Sequence, residues 1–139
     1  MNQTFRLVVF VWLPLFLIGC SDHVSLSGRV TYSDDGTPLE TGTVFFEAET
    51  FQARGPIGAD GKYTLATHRP GDGLPPGRYK VYVGGASRYD TRSDGSITQV
   101  MLITYDYAGP DTLGLVVDVD RSTRTFDFQV DRAPGSRSP

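Results

Sequence analysis

The sequence predicts an all-β domain, and three observations carry that prediction. From residue 24 onward, apolar and polar residues alternate with a period of two, which is typical of strands with one buried and one solvent-exposed face. Asp-Gly and Pro-Gly dipeptides, which favour tight turns, separate the alternating runs. No stretch beyond residue 23 shows a sustained 3.6-residue repeat. Short strands at this spacing, with many glycines and prolines, favour a β-sandwich.

The predicted strands follow one another along the chain. In the first, Val24, Leu26, Gly28, Val30 and Tyr32 alternate with polar residues. Later runs repeat this pattern with Val, Leu, Phe or Tyr at most second positions. The six strands that we predict span 24–32, 44–48, 63–67, 79–83, 115–119 and 126–130. We assign one domain to residues 24–132 and a disordered polar tail to residues 133–139.

Composition limits the classes of function. With 139 residues, 39% hydrophobic and 21% charged, the chain has the make-up of one ordinary globular domain. The net charge is -3 and the arginines are scattered among acidic residues, so we expect no nucleic-acid partner. The single cysteine allows no intramolecular disulfide, and Cys20, His23 and His68 form no zinc pattern. We therefore expect neither a metal nor a soluble cofactor.

The N-terminal segment has the layout of a secretory signal peptide. Arg6 lies in a polar start, and residues 7–19 carry no charge. This apolar run is shorter than the roughly twenty residues that a membrane-spanning helix needs, and Pro14 interrupts it. We therefore expect residues 1–19 to be cleaved after export.

The end of the apolar run resembles the lipobox of bacterial lipoproteins, with Leu17, Ile18 and Gly19 before Cys20. This resemblance implies that Cys20 receives a diacylglyceryl group, becomes the mature N-terminus and begins a lipidated tether over residues 20–23. Two or three acyl chains on one residue anchor a protein stably, whereas a single chain does not. Ser21 resembles the outer-membrane sorting signal of enteric bacteria. The alternatives are an incidental cysteine behind an ordinary signal peptide and an uncleaved anchor.

The order of several short motifs resembles the carboxypeptidase regulatory-like, or transthyretin-like, domain. The motifs are GRVTY at 28–32, GTPL at 36–39, GTVFF at 42–46, DGKYTL at 60–65 and PPGRYKV at 75–81. The segments 107–115 and 125–128 are similar to short lipoproteins of planctomycete-type bacteria. The resemblance implies a seven-stranded Greek-key β-sandwich and, for most members, no assigned activity.

We expect no catalysis from this chain. The transthyretin-like group includes 5-hydroxyisourate hydrolases, which end in Tyr-Arg-Gly-Ser, whereas this sequence ends in GSRSP. The residues around His23 and His68 do not match the hydrolase pattern, and no Gly-x-Ser-x-Gly motif is present. No catalytic residue can therefore be assigned.

Two weaker signals leave alternatives open. The Asp-Gly pairs at 35–36, 60–61, 72–73 and 94–95 could supply calcium ligands, but this dipeptide is also common in hairpin turns. The polar segment 84–99 contains Arg88, Tyr89 and Arg92, residue types found in binding hot spots. We take this segment as a candidate binding loop, with a variable solvated insertion as the alternative.

Three functions remain as hypotheses. The leading one is a non-catalytic interaction or structural module, tethered by lipid to a membrane of the cell envelope, with the outer membrane favoured. The alternative is a carbohydrate-binding or accessory domain for an envelope enzyme, in which Phe45, Tyr82 and Tyr89 would form an aromatic platform. The third is an orphan hydrolase. The partners that we expect are thus the membrane and an envelope protein or glycan.

Overall fold

The structure, a computed structural model, describes residues 22–112 and 114–137. The signal peptide, the lipobox and Cys20 lie outside the described residues. In order along the chain, the strands are β1 (Ser27–Tyr32), β2 (Thr43–Glu47), β3 (Gln52–Pro56), β4 (Lys62–Thr64), β5 (Gly77–Gly84), β6 (Ser87–Thr91), β7 (Ile97–Met101), β8 (Leu115–Val119) and β9 (Phe128–Val130). A single 3₁₀ turn, Tyr105–Tyr107, is the only helical element in the described part of the chain. No helix among these residues has the length and apolar character needed to cross a membrane.

The strands form two larger sheets and one hairpin. One sheet has the order β4-β1-β9, with β1 antiparallel to β4 and parallel to β9. The other has the order β3-β2-β5-β8 and is antiparallel throughout. Strands β6 and β7 pair with each other as a separate two-stranded sheet. The all-β, sandwich-like architecture predicted from the sequence is confirmed, whereas the seven-stranded Greek-key connectivity stays a prediction.

The core is built from the inward-facing residues of both larger sheets. Burial alternates along β2 and β5, as the period-two pattern requires, and Val44, Phe46, Val81 and Val83 are almost completely buried. The Phe46 ring lies at the centre of an aromatic cluster, with ring centroids 5.8 to 6.5 Å from three neighbours: Tyr63, Tyr79 and Phe126. This packing fixes the two sheets against each other.

Six of the nine strands coincide with predicted ones, with shifted ends. The first is shorter than predicted because Val24 and Leu26, although buried, precede the paired segment of β1. Strands β3, β6 and β7 were not predicted. Segment 84–99 is accordingly not a loop: it contains β6 and the first part of β7, and that interpretation of the segment was wrong.

Aspartate side chains organise the turns. In Asp35, Asp60, Asp94 and Asp120, one carboxylate oxygen accepts a hydrogen bond from the backbone N–H two residues further on. Glycines 36, 61 and 95 follow three of these aspartates with φ between 73° and 84°, a left-handed conformation that glycine adopts without strain. The Asp-Gly pairs therefore have a structural role in turns.

Asp72 closes the loop between β4 and β5. Its carboxylate accepts hydrogen bonds from the backbone N–H groups of Thr67, His68 and Arg69, at 2.6 to 2.9 Å. These three donors stabilise the charged form and lower the pKa of Asp72 from its ordinary value of 3.8 to about 2. The loop 67–72 is thus held by a single ionised side chain.

Acidification should weaken this loop. Because the folded-state pKa of Asp72 is depressed, its contribution to stability is fully present above pH 3.8 and is lost as the pH falls toward 2. We expect Asp72→Asn to destabilise the protein more at about pH 5 than at about pH 2.5, measured by urea unfolding. Asp106→Asn is the control, since among the described residues no hydrogen bond reaches that exposed carboxylate. If Asp72→Asn lowered the free energy of unfolding equally at both pH values, the ionised Asp72 carboxylate would not be what stabilises this loop.

The C-terminal residues are packed rather than disordered as far as Arg137. The backbone N–H of Ala133 donates to the Leu102 carbonyl, and Ser136 is only 2% exposed. The Arg132 guanidinium lies 3.6 Å from the centre of the Tyr32 ring and pairs with Asp34 and Asp35. The predicted domain end at residue 132 is therefore too early, because the segment 133–137 is attached to the sandwich by hydrogen bonds from Arg88 to the Ser136 carbonyl and from Arg137 to Asp34.

Candidate functional site

The β6–β7 hairpin contains the predicted binding residues. Its five cross-strand pairs run from Ser87 opposite Met101 to Thr91 opposite Ile97. At the tip, the backbone N–H of Arg92 donates to the Ser96 carbonyl, and Asp94 accepts from the backbone N–H of Ser96. The base of the hairpin is anchored in the core, because the side chains flanking it, Ala86, Leu102 and Ile103, are buried. The hairpin is therefore a defined extension of the sandwich.

The two faces of the hairpin differ. Side chains of alternate residues project to opposite faces of a strand, so Tyr89, Ile97 and Met101 share one face. They are 71%, 71% and 45% exposed, respectively. Arg88 and Asp90 belong to the opposite, partly buried face. The hairpin thus presents three large apolar side chains to solvent.

Arg88 attaches the inner face of the hairpin to the C-terminal segment. Its Nε donates to Asp90 Oδ1 at 2.9 Å, and its Nη1 donates to the Ser136 carbonyl at 2.9 Å. These partners engage the guanidinium, and the Arg88 side chain is 30% exposed. Arg88 therefore has a structural role.

The predicted trio of Arg88, Tyr89 and Arg92 is not one cluster. Arg88 and Tyr89 are on opposite faces of β6, and Arg92 follows β6 in the exposed turn. Tyr89 has instead two apolar diagonal neighbours, Ile97 and Met101, which were not among the predicted site residues. The alternation of Ile97, Gln99 and Met101 across an Asp-Gly turn from Tyr89 could have revealed them.

The three aromatic residues predicted to form a platform, Phe45, Tyr82 and Tyr89, do not lie on one surface. Phe45 and Tyr82 are opposite each other on the outer face of the four-stranded sheet, with ring centroids 5.0 Å apart and planes 12° apart. Each ring covers one face of the other, and both side chains are half-buried. Tyr89 belongs to a different sheet. This arrangement does not favour the stacking of a sugar on a flat aromatic surface.

Polar groups further constrain Tyr82. Its hydroxyl donates to Glu47 Oε2 at 2.7 Å, and the Gln52 amide reaches both groups at 3.2 Å. Burial, together with the hydrogen bond to the Glu47 carboxylate, raises the pKa of Tyr82 to about 12. The outer face of this sheet is thus organised by its own side chains.

The two histidines lie on the surface near the start of the domain. His23 contacts the Phe51 ring edge-on at 5.9 Å, and His68 lies in the loop that Asp72 holds. Within residues 22–112 and 114–137, no three His, Cys, Asp or Glu side chains are grouped as metal ligands would be.

Comparisons with known proteins identify no family. No protein-family model and no curated protein matches the chain. The chain is similar to the major pilin subunit BcpA of Bacillus cereus, with 11% identity and a TM-score of 0.48 over 80% of this chain, and it spans 30% of that protein. It is also similar to the 5-hydroxyisourate hydrolase of Klebsiella pneumoniae, with 22% identity and a TM-score of 0.40 over 81% of this chain and 91% of that one. Because both TM-scores are below 0.5, we infer no function for this chain from either protein.

Proposed function

We propose that this chain is a lipid-anchored, non-catalytic interaction module of the cell envelope that binds a partner protein through its β6–β7 hairpin. The observation that carries the proposal is the exposed apolar group of Tyr89, Ile97 and Met101 on one face of that hairpin. Single exposed apolar residues are common, but adjacent ones on one projecting element are typical of interaction sites.

The composition of this face suits a protein interface. Tyrosine and methionine are enriched in the cores of interfaces, and complete burial of an Ile or Met side chain contributes about 1.5–3 kcal/mol. The polar side chains of Ser87, Thr91 and Gln99 share the face, and Gln99 lies directly opposite Tyr89, where its amide donates to Ser87 Oγ. In the described part of the chain, β6 and β7 pair only with each other, so their outer backbone groups can also accept a partner.

The anchor belongs to the same proposal and is supported by the lipobox-like residues 17–20. The described domain begins close behind that motif, since Val24 already pairs with Leu74. We also propose the seven-stranded connectivity of a transthyretin-like domain, supported by the order of the motifs at 28–32, 60–65 and 75–81.

The experiment is capture of the native partner by a photo-crosslinker in intact cells. A photoreactive phenylalanine at position 89 should give a crosslinked product with an envelope protein. Combining Ile97→Thr and Met101→Gln with it should abolish the product, because two of the three apolar contacts are removed. Circular dichroism and thermal unfolding should remain unchanged, because the altered side chains project into solvent.

The matched control places the crosslinker at Val116, an apolar residue that is 51% exposed on β8. This position should give no product, or a product that Ile97→Thr and Met101→Gln leave unchanged. The proposal fails if position 89 gives no product in folded, surface-displayed protein, or if its product survives both substitutions.

A further inference from the structure

A cleft with basic side chains lies where the edges of the two larger sheets meet. It has a volume of about 610 Å³ and is bordered by β3, β4 and the loop 67–71. Among its lining residues are Arg54, Lys62, His68 and Arg69, and no acidic residue is among them. Ligand pockets typically have volumes of roughly 300–1,000 Å³. The fold thus brings together cationic residues that are dispersed in the sequence.

Most cations of this cleft are not neutralised by the protein. Among the described residues, the side chains of Arg54, His68 and Arg69 form neither a hydrogen bond nor an ion pair, and all three are exposed. Lys62 forms only a long contact, at 3.7 Å, with the exposed Asp60. Elsewhere Arg88, Arg121, Arg132 and Arg137 pair with aspartates at 2.7 to 3.0 Å. Within the described residues, Arg29, Arg92 and Arg124 form no ion pair, but none of them lines this cleft. The cleft is therefore a site where guanidinium groups remain available.

Two aspartates in the turns that border the cleft have structural roles. Asp60 accepts from the backbone N–H of Lys62, and Asp72 accepts from the backbone N–H groups of residues 67–69. These hydrogen bonds direct both carboxylates at backbone groups of the turns that border the cleft.

A second observation points to an anion. Arg29 on β1 lies directly opposite Lys62 on β4, and both residues are exposed. Like charges at directly opposed strand positions are destabilising. Asp60 attracts both cations and Asp127 borders the same surface, but each of these carboxylates also accepts a hydrogen bond from a backbone N–H group. An anionic ligand beside Lys62 would add to this partial neutralisation.

The wall of the cleft is preformed. A Cβ atom on Gly55 would lie 2.5 Å from the Thr64 carbonyl oxygen, so only glycine allows β3 and β4 to approach this closely. Two hydrogen bonds between the backbones of Arg54 and Ala66 hold the strands together there. The backbone of the wall is thus fixed before binding, whereas the exposed Arg54, Lys62 and Arg69 side chains must be ordered by the ligand.

We propose that this cleft binds a phosphate group through Arg54, Arg69 and Lys62. The guanidinium fork matches phosphate oxygens, and several cations on one cleft suit an anionic group that has several acceptor oxygens. The phosphate can come from a lipid headgroup or from a soluble phosphate ester. Binding of a lipid headgroup, unlike binding of a soluble ester, rests on the proposed anchor. A lipid on Cys20 would hold the domain close to the membrane surface, because Cys20 is two residues before Asp22, a span of at most about 7 Å. His23 and the 67–74 loop are adjacent, since Val24 pairs with Leu74.

The experiment follows backbone amide NMR signals of residues 54–71 in the full chain, purified from membranes and embedded in lipid nanodiscs. Glycerol 3-phosphate is titrated against protein in phosphatidylcholine nanodiscs. In a second arm, phosphatidylglycerol replaces half of the lipid. Saturable shifts in the first arm identify a soluble phosphate ester, and shifts confined to the second identify a headgroup. Protein that fails to attach to nanodiscs is titrated in non-ionic detergent, so that loss of the anchor is distinguished from loss of the site.

The variant Arg54→Gln with Arg69→Gln should weaken binding about tenfold or more, because two charge-assisted donors are removed. The control Arg78→Gln with Lys80→Gln removes the same charge from the exposed face of β5 and should change the affinity by less than about twofold. Shifts in neither arm, or equal weakening by the two double variants, would overturn the proposal.

Discussion

Replacing Phe46 with alanine is expected to lower the free energy of unfolding by about 3–5 kcal/mol. The Phe46 side chain is fully buried, and its ring lies at the centre of the cluster formed with Tyr63, Tyr79 and Phe126. Removing it leaves a cavity between the two sheets, which rigid strands can close only in part. Urea unfolding monitored by far-ultraviolet circular dichroism measures the loss of unfolding free energy.

The neighbouring residue supplies a matched control. Phe45 has the same side chain one position away, but it projects to the outer face and is half-buried against Tyr82. We expect Phe45→Ala to cost only about 1–2 kcal/mol, since the stacking and partial burial are lost without a core cavity. Equal costs for the two substitutions would show that the sandwich core is not located where the structure places it.

The strands that the sequence predicts are those with large apolar residues on one face. In β5, Tyr79, Val81 and Val83 alternate with polar or half-buried residues, and the period is evident. In β3 the two inward positions are Ala53 and Gly55, which are too small to produce a hydrophobic pattern. Their small size is what lets β3 and β4 approach, so this information is visible only in the tertiary structure.

The hairpin could not be recognised for a different reason. Neither β6 nor β7 contains a fully buried residue, so no buried face marks them as strands. Besides its buried base, the hairpin is held by a contact between residues 48 positions apart in the sequence, Arg88 and the Ser136 carbonyl. The same contact explains why the C-terminal segment is packed, since a polar sequence can be ordered by a distant arginine.

The grouping of cationic side chains at the cleft also could not be predicted from the sequence. The sequence places Arg54, Lys62 and Arg69 among acidic residues, and on that basis it suggests no basic face. In the fold, Asp60 and Asp72 turn toward backbone N–H groups while the cationic side chains border one cleft. Which charges face a ligand depends on these hydrogen bonds, and they do not follow from charge counts.

Replacing Cys20 with alanine should remove the lipid anchor, so that the domain leaves the membrane fraction once the uncleaved N-terminal segment has been cut off. The thiol of Cys20 is the only cysteine thiol in the chain, and therefore the only thiol to which a diacylglyceryl group can be attached. Each buried CH₂ of an acyl chain contributes about 0.8 kcal/mol, so the loss of two or three chains leaves no comparable attachment. The measurement is fractionation of cells that express the full chain, combined with metabolic labelling by radioactive palmitate.

Ser21→Ala is the matched control for this prediction, because it alters the adjacent residue and leaves the thiol in place. This variant should be labelled and should sediment with membranes, whereas Cys20→Ala should be unlabelled and should retain the uncleaved N-terminal segment. Retention of that segment alone could hold Cys20→Ala on the membrane, so a protease site inserted after residue 21 is cut before fractionation. After cleavage, the N-terminal peptide of Cys20→Ala should be free of lipid, and the domain should be released from the membrane. The N-terminal lipopeptide of cleaved wild type should remain in the membrane. These two results together support the anchor. Wild type without palmitate, or Cys20→Ala processed and membrane-bound like wild type, would show that the anchor is not a lipid on Cys20.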